Sequence, residues 1–218
     1  MSSTSITSVR DRLLILGAGG HGRVVADLAL KLGWWREVAF LDDNRKDSVL
    51  GLQVVGAARD ASGFIGYDDL FVAIGDNATR ERVLGGLISA GARVPTLVHP
   101  DAVVGTNVSI GSGTVVMAGA VINCGSRIGM GCIVNTGATV DHDNLIHDYV
   151  HISPGVHIAG TVTVGRRSWI GIGAAICNNV SICDDCIIGA GAVVTGRIAE
   201  SGTYVGVPAR KLQSESIR

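Results

Sequence analysis

The second half of the chain repeats every six residues. From Val98 to Val194, each of the 17 positions spaced six apart holds valine or isoleucine. This period matches neither the 3.6 residues of a helical turn nor the two-residue alternation of an ordinary strand. It predicts a solenoid of very short strands with a turn after each one, in which three strands form a triangular coil of 18 residues. A β-sandwich would not produce such an unbroken series.

The residues between the aliphatic positions fit the same solenoid. A small residue usually stands four places after each valine or isoleucine, and glycine often follows it directly. We expect the β-branched side chains to fill a prism and the small residues to fit where its sides meet. Coils stacked at the strand spacing of about 4.8 Å would give residues 98–199 between five and six coils.

The first half has a different composition. Six of the nine aromatic residues and 11 of the 18 lysines and arginines precede residue 97. Apolar strands alternate there with amphipathic helical segments, which predicts a small Rossmann-like parallel sheet. We therefore predict an α/β domain at residues 1–97, followed at 98–218 by a parallel β-helix with a C-terminal tail.

A glycine-rich loop follows the first predicted strand. The stretch LLILGAGGHG, residues 13–22, contains G-x-G-x-x-G, and Asp42 follows 20 positions after it. Such loops bind phosphate through free N–H groups at a helix start. A full dinucleotide fold needs two mononucleotide halves, and about 97 residues hold only one. One nucleotide diphosphate therefore fits better than NAD, and a structural glycine turn is the alternative. The candidate ligands are Gly19, Gly20, His21 and Asp42.

A second loop, AIGDNATR at residues 73–80, also leaves a strand and opens a helix. Its candidate substrate contacts are Gly75, Asp76 and Asn77, although either polar residue also suits a helix N-cap. Loops at the carboxyl ends of parallel strands border a common crevice, where ligands usually bind.

Bulk properties exclude several classes of function. The net charge of −1 offers no basic field for nucleic acid or an anionic membrane. No apolar run approaches the roughly 18 residues of a membrane span, and the polar N-terminus has no signal-peptide pattern. Five cysteines, an odd number, favour reduced thiols in a cytoplasmic protein. The single CxxC at Cys183 and Cys186 is weak evidence for zinc or redox chemistry.

The six-residue pattern resembles the hexapeptide-repeat acyltransferases, whose coils wind left-handed. GAGGHG, AIGDN, the NT…VDHD segment and the terminal VGVPA together resemble the nucleotide-sugar N-acetyltransferases, over nearly the whole chain. The resemblance implies acetyl transfer from acetyl-CoA to the 4-amino group of a UDP- or GDP-linked deoxyamino sugar in glycan biosynthesis. It also implies a homotrimer, a nucleotide sugar held by the N-terminal loops, and a histidine base on the prism. Close relatives of that family acetylate sialic acid.

Four of the six histidines lie between residues 135 and 157. His142 falls in a predicted turn beside Asp143, and the 18-residue coil stacks it between Cys124 and Gly160. A neutral imidazole suits the removal of a proton from an attacking amine, and a carboxylate can hold its tautomer. We assign His142 as base and Asp143 as its orienting partner, with the Gly160 amide meeting the thioester or its oxyanion. The family usually has glutamate after the histidine, one methylene longer than Asp143.

The resemblance also suggests further site residues. Asn135 and His151 match positions near the family's reaction centre; alternatively, Asn135 is a turn residue and His151 faces a neighbouring subunit or solvent. His147 and His157 are expected to be structural. The GxPA segment of the family lines the CoA site. The candidate cofactor contacts are Gly160, Ile172, Ala190, Pro208 and Arg210.

Three other functions fit parts of the pattern. A zinc carbonic anhydrase on this prism would use three histidines, but the third position, two coils before His142, is Thr106, so no metal is expected. A non-enzymatic nucleotide-sugar sensor would use the prism only for trimerisation. Acetylation of a sugar hydroxyl would use the same base.

Overall fold

A computed structural model describes residues 10–212 of the chain. The N-terminal part is a four-stranded parallel sheet in the order β3-β2-β1-β4. Residues 13–16 of β1 and 70–72 of β4 are apolar and buried, as expected of strands covered on both faces. The elements are β1 (Arg10–Leu16), α1 (Gly20–Leu32), β2 (Trp35–Leu41), β3 (Val54–Gly56), a 3-10 helix (Ala58–Phe64), β4 (Asp69–Val72) and α2 (Asn77–Ser89).

From β5 onward the chain forms a left-handed β-helix with three faces, which confirms the predicted fold class. Strands pair in parallel with partners 18 residues away, as in the pairing of Ile152 with Val134 and Ile170. The eight-stranded domain face comprises β5 (Leu97–Val98), β8 (Val115–Val116), β11 (Ile133–Val134), β14 (His151–Ile152), β17 (Trp169–Ile170), β20 (Cys186–Ile188), β22 (Gly202–Val205) and β23 (Arg210–Lys211).

The other two faces are shorter. The six-stranded groove face comprises β6 (Val103–Val104), β9 (Val121–Ile122), β12 (Thr139–Val140), β15 (His157–Ile158), β18 (Ala175–Ile176) and β21 (Val193–Val194). The five-stranded third face comprises β7 (Ser109–Ile110), β10 (Arg127–Ile128), β13 (Leu145–Ile146), β16 (Thr163–Val164) and β19 (Ser181–Ile182).

The repeating valines and isoleucines form the prism core. Those from Val116 to Val194 lie at 3% exposure or less, because a coil covers them above and below. Val104, in the first coil, is 39% exposed, since no earlier coil covers it. The six-residue pattern therefore specifies an interior that repeats along the axis and weakens at the open end.

The α/β unit packs on the domain face. Three outward side chains of that face, Leu97, Val115 and Ile133, are buried in one apolar cluster with α1. The same outward column continues with His151 and then with Trp169 and Ile187, which are about half exposed. The docked unit thus covers the early coils and leaves the later ones open.

Candidate active site

The backbone of His142 is tied to the coils on both sides of it. His142 lies in the turn between β12 and β13, at the corner where the groove face meets the third face. Asp143 has a positive φ of 57° and donates its N–H to the Cys124 carbonyl at 3.1 Å. The His142 carbonyl accepts from the Thr161 N–H at 3.0 Å. The stacked coils therefore set the position of the turn.

A buried polar ladder supports the same corner from inside. The Asp141 carbonyl accepts from the Ser126 hydroxyl at 2.7 Å and from the Asn144 side-chain amide at 2.6 Å. The side-chain oxygen of Asn144 accepts from the Val162 N–H at 2.7 Å. Ser126 and Asn144 are almost fully buried, so their hydrogen bonds satisfy groups that water cannot reach.

The His142 imidazole points outward and is 52% exposed. Its Nδ1 lies 2.8 Å from Oδ2 of Asp143, so the shorter aspartate reaches the ring. This hydrogen bond raises the pKa of His142 above its ordinary value, and the charge of Asp141 adds to the effect. Gly125 leaves room for the carboxylate, because a Cβ there would lie 2.5 Å from Oδ1 of Asp143. With Nδ1 occupied, Nε2 is the nitrogen available for chemistry.

Gly160 stands against the free nitrogen. A Cβ at this position would lie 2.5 Å from Nε2 of His142 and 2.6 Å from Cε1. The Gly160 N–H has no acceptor within the described part of the chain. The corner thus combines a base, its carboxylate, an open space and a backbone donor.

A cleft of about 550 Å³ opens on the groove face beside this corner. His157 lies in its wall, where Nδ1 is 2.9 Å from the Thr139 hydroxyl, so this histidine has a structural partner. The lining includes Asn123, Thr139, Asp141, His157, Ala159 and Cys177.

The glycine-rich loop has the expected position at the end of β1. An added Cβ at Gly19 or Gly20 would meet open space. Asp42 is already engaged internally, because its carboxylate accepts from the N–H groups of Ala18 at 2.7 Å and of Asn44 and Arg45 at 2.9 Å. Burial opposes ionisation of Asp42, yet these donors hold its pKa below the ordinary value.

The two polar residues of the second loop, Asp76 and Asn77, have different hydrogen-bond partners. Asp76 is the N-cap of α2 and accepts from the Thr79 N–H at 2.8 Å. Asn77 donates to the Arg167 carbonyl at 2.8 Å and accepts from the Arg80 guanidinium at 2.6 Å. Both ends of the Asn77 amide are therefore used to join the loop to the prism. Gly75 has open space at its Cα.

A second cleft, of about 500 Å³, lies at the carboxyl edge of the α/β sheet. Two arginines and an aspartate in its wall were not identified from the sequence, because they belong to no motif and only the fold brings them together. The lining includes Leu16, Asp43, Arg59, Ile74, Thr79 and Arg82.

His21 and His151 lie where the α/β unit meets the prism. Burial lowers the pKa of each to about 4, and the positive charge of Arg80 contributes in both cases. Nε2 of His21 and Nδ1 of His151 are buried without a hydrogen-bond partner among residues 10–212. The His151 ring stacks on Trp169, with centroids 5.5 Å apart, and its Nε2 lies 3.4 Å from the Asn135 amide nitrogen. Asn135 and His151 thus form one group.

The structure does not bring that group to His142 within one chain. His151 is on the domain face, whereas His142 is on the opposite corner of the triangle. With about 3.3 Å per residue, the prism separates them by on the order of 15 Å. The nine residues from His142 to His151 are half of an 18-residue coil, so the sequence predicts that the two rings lie on different sides of the prism. The repeat does not show which face the α/β unit covers.

The predicted cofactor contacts also lie at different places on the prism. Ile172 is 58% exposed and precedes Ala190 by one coil, at the corner between the domain and groove faces. Pro208 and Arg210 belong to the tail that runs along the domain face, and Arg210 is exposed. Only Gly160 of this set touches the His142 corner.

Within residues 10–212, no cluster of three or more histidine, cysteine, aspartate or glutamate side chains is arranged to hold a metal ion. The same residues contain no helix that is long and apolar enough to cross a membrane.

The sequence matches two family models. Residues 12–87 match the PglD N-terminal domain, and residues 161–196 match the bacterial transferase hexapeptide repeat. Over 120 residues, the chain is 35% identical to a GDP-perosamine N-acetyltransferase from Escherichia coli. That match covers 55% of this chain and 54% of the relative, so the chain spans about half the length of this curated relative.

Solved structures resemble nearly the whole chain. The acetyltransferase domain of PglB from Neisseria gonorrhoeae, also solved with acetyl coenzyme A, is 42% identical with a TM-score of 0.91. The match covers 93% of this chain and 100% of that one. Perosamine N-acetyltransferase from Caulobacter crescentus, solved as a mutant with CoA and GDP-perosamine, is 38% identical with a TM-score of 0.86. It covers 92% of this chain and 96% of that one.

Proposed function

The chain belongs to the hexapeptide-repeat acetyltransferases that carry a PglD-type N-terminal domain, and from this premise we propose its reaction. It transfers the acetyl group of acetyl-CoA to the 4-amino group of a nucleotide-linked deoxyamino sugar. The observation that carries the proposal is the outward His142 imidazole, held by Asp143, with its free nitrogen against Gly160.

The chemistry is a direct acyl transfer. The amine nitrogen attacks the thioester carbon while Nε2 of His142 accepts one of its protons. Asp143 stabilises the resulting imidazolium through Nδ1. The Gly160 N–H donates to the thioester oxygen as negative charge develops there. Collapse of the intermediate expels the CoA thiolate, which takes the proton from the imidazolium and leaves the amide product.

The acceptor's nucleotide fits the carboxyl-edge cleft and the neighbouring glycine-rich loop. Arg59 and Arg82 supply positive charge in the cleft wall. The open Gly19 and Gly20 backbone supplies N–H groups at the start of α1. This pairing of cations with a helix N-terminus suits a diphosphate, whether the base is uracil or guanine.

The donor fits the groove face. Its cleft borders the His142 corner, and the thioester has to reach the space beside Gly160. We assign the pantetheine arm to this cleft, and the more distant part of CoA to the later coils and tail. Those contacts would come from Ile172, Ala190, Pro208 and Arg210.

The separation of His142 from the α/β unit supports a homotrimer. One copy holds the acceptor on its α/β unit and domain face, whereas its own base faces the other way. Packing of two prisms can bring the corner of one copy to the domain face of the next, and a threefold arrangement repeats this contact three times. Trp169 and Ile187, half exposed beside His151, give that contact apolar area.

The proposed location is the cytoplasm. All five cysteines are free thiols, and acetyl-CoA and nucleotide sugars are substrates of that compartment.

A panel assay tests the function. Thiol release from acetyl-CoA is measured with UDP- and GDP-linked 4-amino sugars, with their 4-hydroxy counterparts and with free sialic acid as matched alternatives. We expect thiol release only with a 4-amino sugar nucleotide, and an amide product by mass spectrometry. An ester product from a hydroxyl acceptor would instead identify an O-acetyltransferase. No thiol release with any acceptor would contradict the enzyme assignment.

A further inference from the structure

Arg80 is a buried cation that the acetyl-transfer chemistry does not use. It lies in the first turns of α2 and is 1% exposed. Its guanidinium joins the second loop to two coils of the prism. The acceptors are the carbonyl oxygens of Ile74 (2.8 Å), Gly75 (3.0 Å), Gly131 (2.6 Å) and Tyr149 (2.9 Å) and the side-chain oxygen of Asn77 (2.6 Å).

All of these acceptors are neutral. Burial lowers the pKa of Arg80 to about 10, so the side chain keeps its charge at neutral pH. Asp76 acts on it only from a distance, as the N-cap of α2. Buried charges are normally paired with an opposite charge, because desolvation is costly. Among residues 10–212, Arg80 forms no ion pair, and the Asp76 carboxylate offsets its charge only in part, so the site favours a further anion nearby.

The hydrogen bonds of Arg80 also orient the second loop. In a trans peptide the C=O and the following N–H point in opposite directions. Because the carbonyls of Ile74 and Gly75 point at the guanidinium, the N–H groups of Gly75 and Asp76 point away from it. Neither N–H has an acceptor within the described part of the chain. The loop thus presents two free donors on one side and a fixed positive charge behind them.

We propose that Arg80 is a positioning residue of the acceptor site. It fixes loop 73–77 so that the amide groups of the loop face the substrate, and the diphosphate of the substrate neutralises its charge. This inference rests on the proposed function, because the anion it invokes is the nucleotide diphosphate. Arg80 does not touch the reacting atoms, and it acts through the loop backbone and through its electric field.

The positive charge of Arg80 affects the pKa values of two nearby histidines, His21 and His151. His21 faces Arg80 and His151, and His151 faces Arg80, His21 and the Gly75 carbonyl. Loss of the Arg80 charge removes one of the causes that keep both rings neutral, while their burial remains. The pKa of each ring should then rise from about 4, yet stay below its ordinary value of 6.5.

Two substitutions separate charge from shape. Arg80→Met keeps an unbranched apolar stem without the charged guanidinium, and Arg80→Lys keeps the charge without the multiple hydrogen bonds. Arg36→Met, at an arginine that is 73% exposed on β2, is the control. The probes are UDP and GDP by calorimetry, with KM for acetyl-CoA measured separately.

We expect Arg80→Met to weaken binding of the nucleotide diphosphate at least about tenfold, as for loss of a charge-assisted contact. KM for acetyl-CoA should change less than about twofold, and Arg80→Lys should recover part of the nucleotide affinity. If Arg80→Met does not fold, Arg80→Lys still tests the loop geometry, with an expected loss of a few-fold. Unchanged nucleotide affinity in the folded variants overturns the inference.

NMR titration of the histidine rings distinguishes an effect of the Arg80 charge from a purely structural role of Arg80, which would leave the pKa values of the rings unchanged. In Arg80→Met both buried rings should titrate at higher pH than in wild type, whereas Arg80→Lys should leave them near their original values. Rings that titrate identically in all three proteins contradict the role of the charge. A wild-type enzyme that acetylates no 4-amino sugar would instead overturn the proposed function, and the nucleotide-binding data would still test Arg80.

Discussion

Replacing Gly160 with alanine should disable the base without unfolding the protein. The added Cβ would lie 2.5 Å from Nε2 of His142, about 1 Å closer than an ordinary van der Waals contact. Gly160 does not have a positive φ, so the backbone accepts alanine without strain. The imidazole is half exposed and can rotate away into solvent, which breaks its hydrogen bond to Asp143.

The size of the effect follows from that displacement. A misplacement of about 1 Å in a reacting group costs on the order of 100-fold in rate. We therefore expect kcat to fall about 100-fold in Gly160→Ala, as measured by thiol release from acetyl-CoA. The midpoint of thermal unfolding should stay within about 2 °C, because no core contact is lost.

Gly196→Ala is the matched control. Gly196 lies in the turn that leaves the groove face two coils later, after β21, and an added Cβ there meets nothing within 4 Å. This variant should turn over at the wild-type rate. Wild-type turnover in Gly160→Ala would refute the stacking of residue 160 on the base. Equal losses in both variants would show that an added methyl group in either turn is harmful whether or not it contacts His142.

Three further predictions concern the base, its carboxylate partner and the metal content of the protein. His142→Ala should lower kcat at least about 100-fold while calorimetry shows unchanged binding of the nucleotide sugar. Wild-type turnover in this variant would show that His142 is not the base. Since Asp143 raises the pKa of His142 and the base acts when neutral, activity falls as pH drops through that pKa. Asp143→Asn should therefore shift the acidic limb of the kcat/KM profile to lower pH, and an unmoved limb would contradict the pairing. Dialysis against a chelator should leave activity intact. Protein that contains stoichiometric zinc and loses both the zinc and its activity on dialysis would favour the zinc carbonic anhydrase alternative.

The integer period explains why the corner could be predicted from sequence. A coil of 18 residues places residues 124, 142 and 160 in one column, so the neighbours of His142 follow from counting. Its outward direction follows from its offset from Val140, which lies in the core. The reach of Asp143 did not follow from counting, because it depends on a positive φ and on the space left by Gly125.

The α/β half was less predictable. The glycine loop and AIGDN were located from their motifs, but the internal tasks of Asp42 and Asn77 depend on which backbone groups happen to lie nearby. Arg80 is the last residue of AIGDNATR, but the motif does not show its burial, which is a property of the junction between the two units. The placement of that junction on the domain face is set by apolar contacts that the six-residue period does not encode.

Mixed assemblies test most directly whether the site is shared between copies. One variant carries His142→Ala, and the other carries Arg59→Glu with Arg82→Glu in the carboxyl-edge cleft. Each should be inactive alone, and both are then combined in trimers whose mixing is verified by native mass spectrometry. If each site takes its base from one copy and its acceptor cleft from a neighbour, random mixing should restore about one quarter of wild-type activity. Mixed trimers that remain inactive would contradict the account.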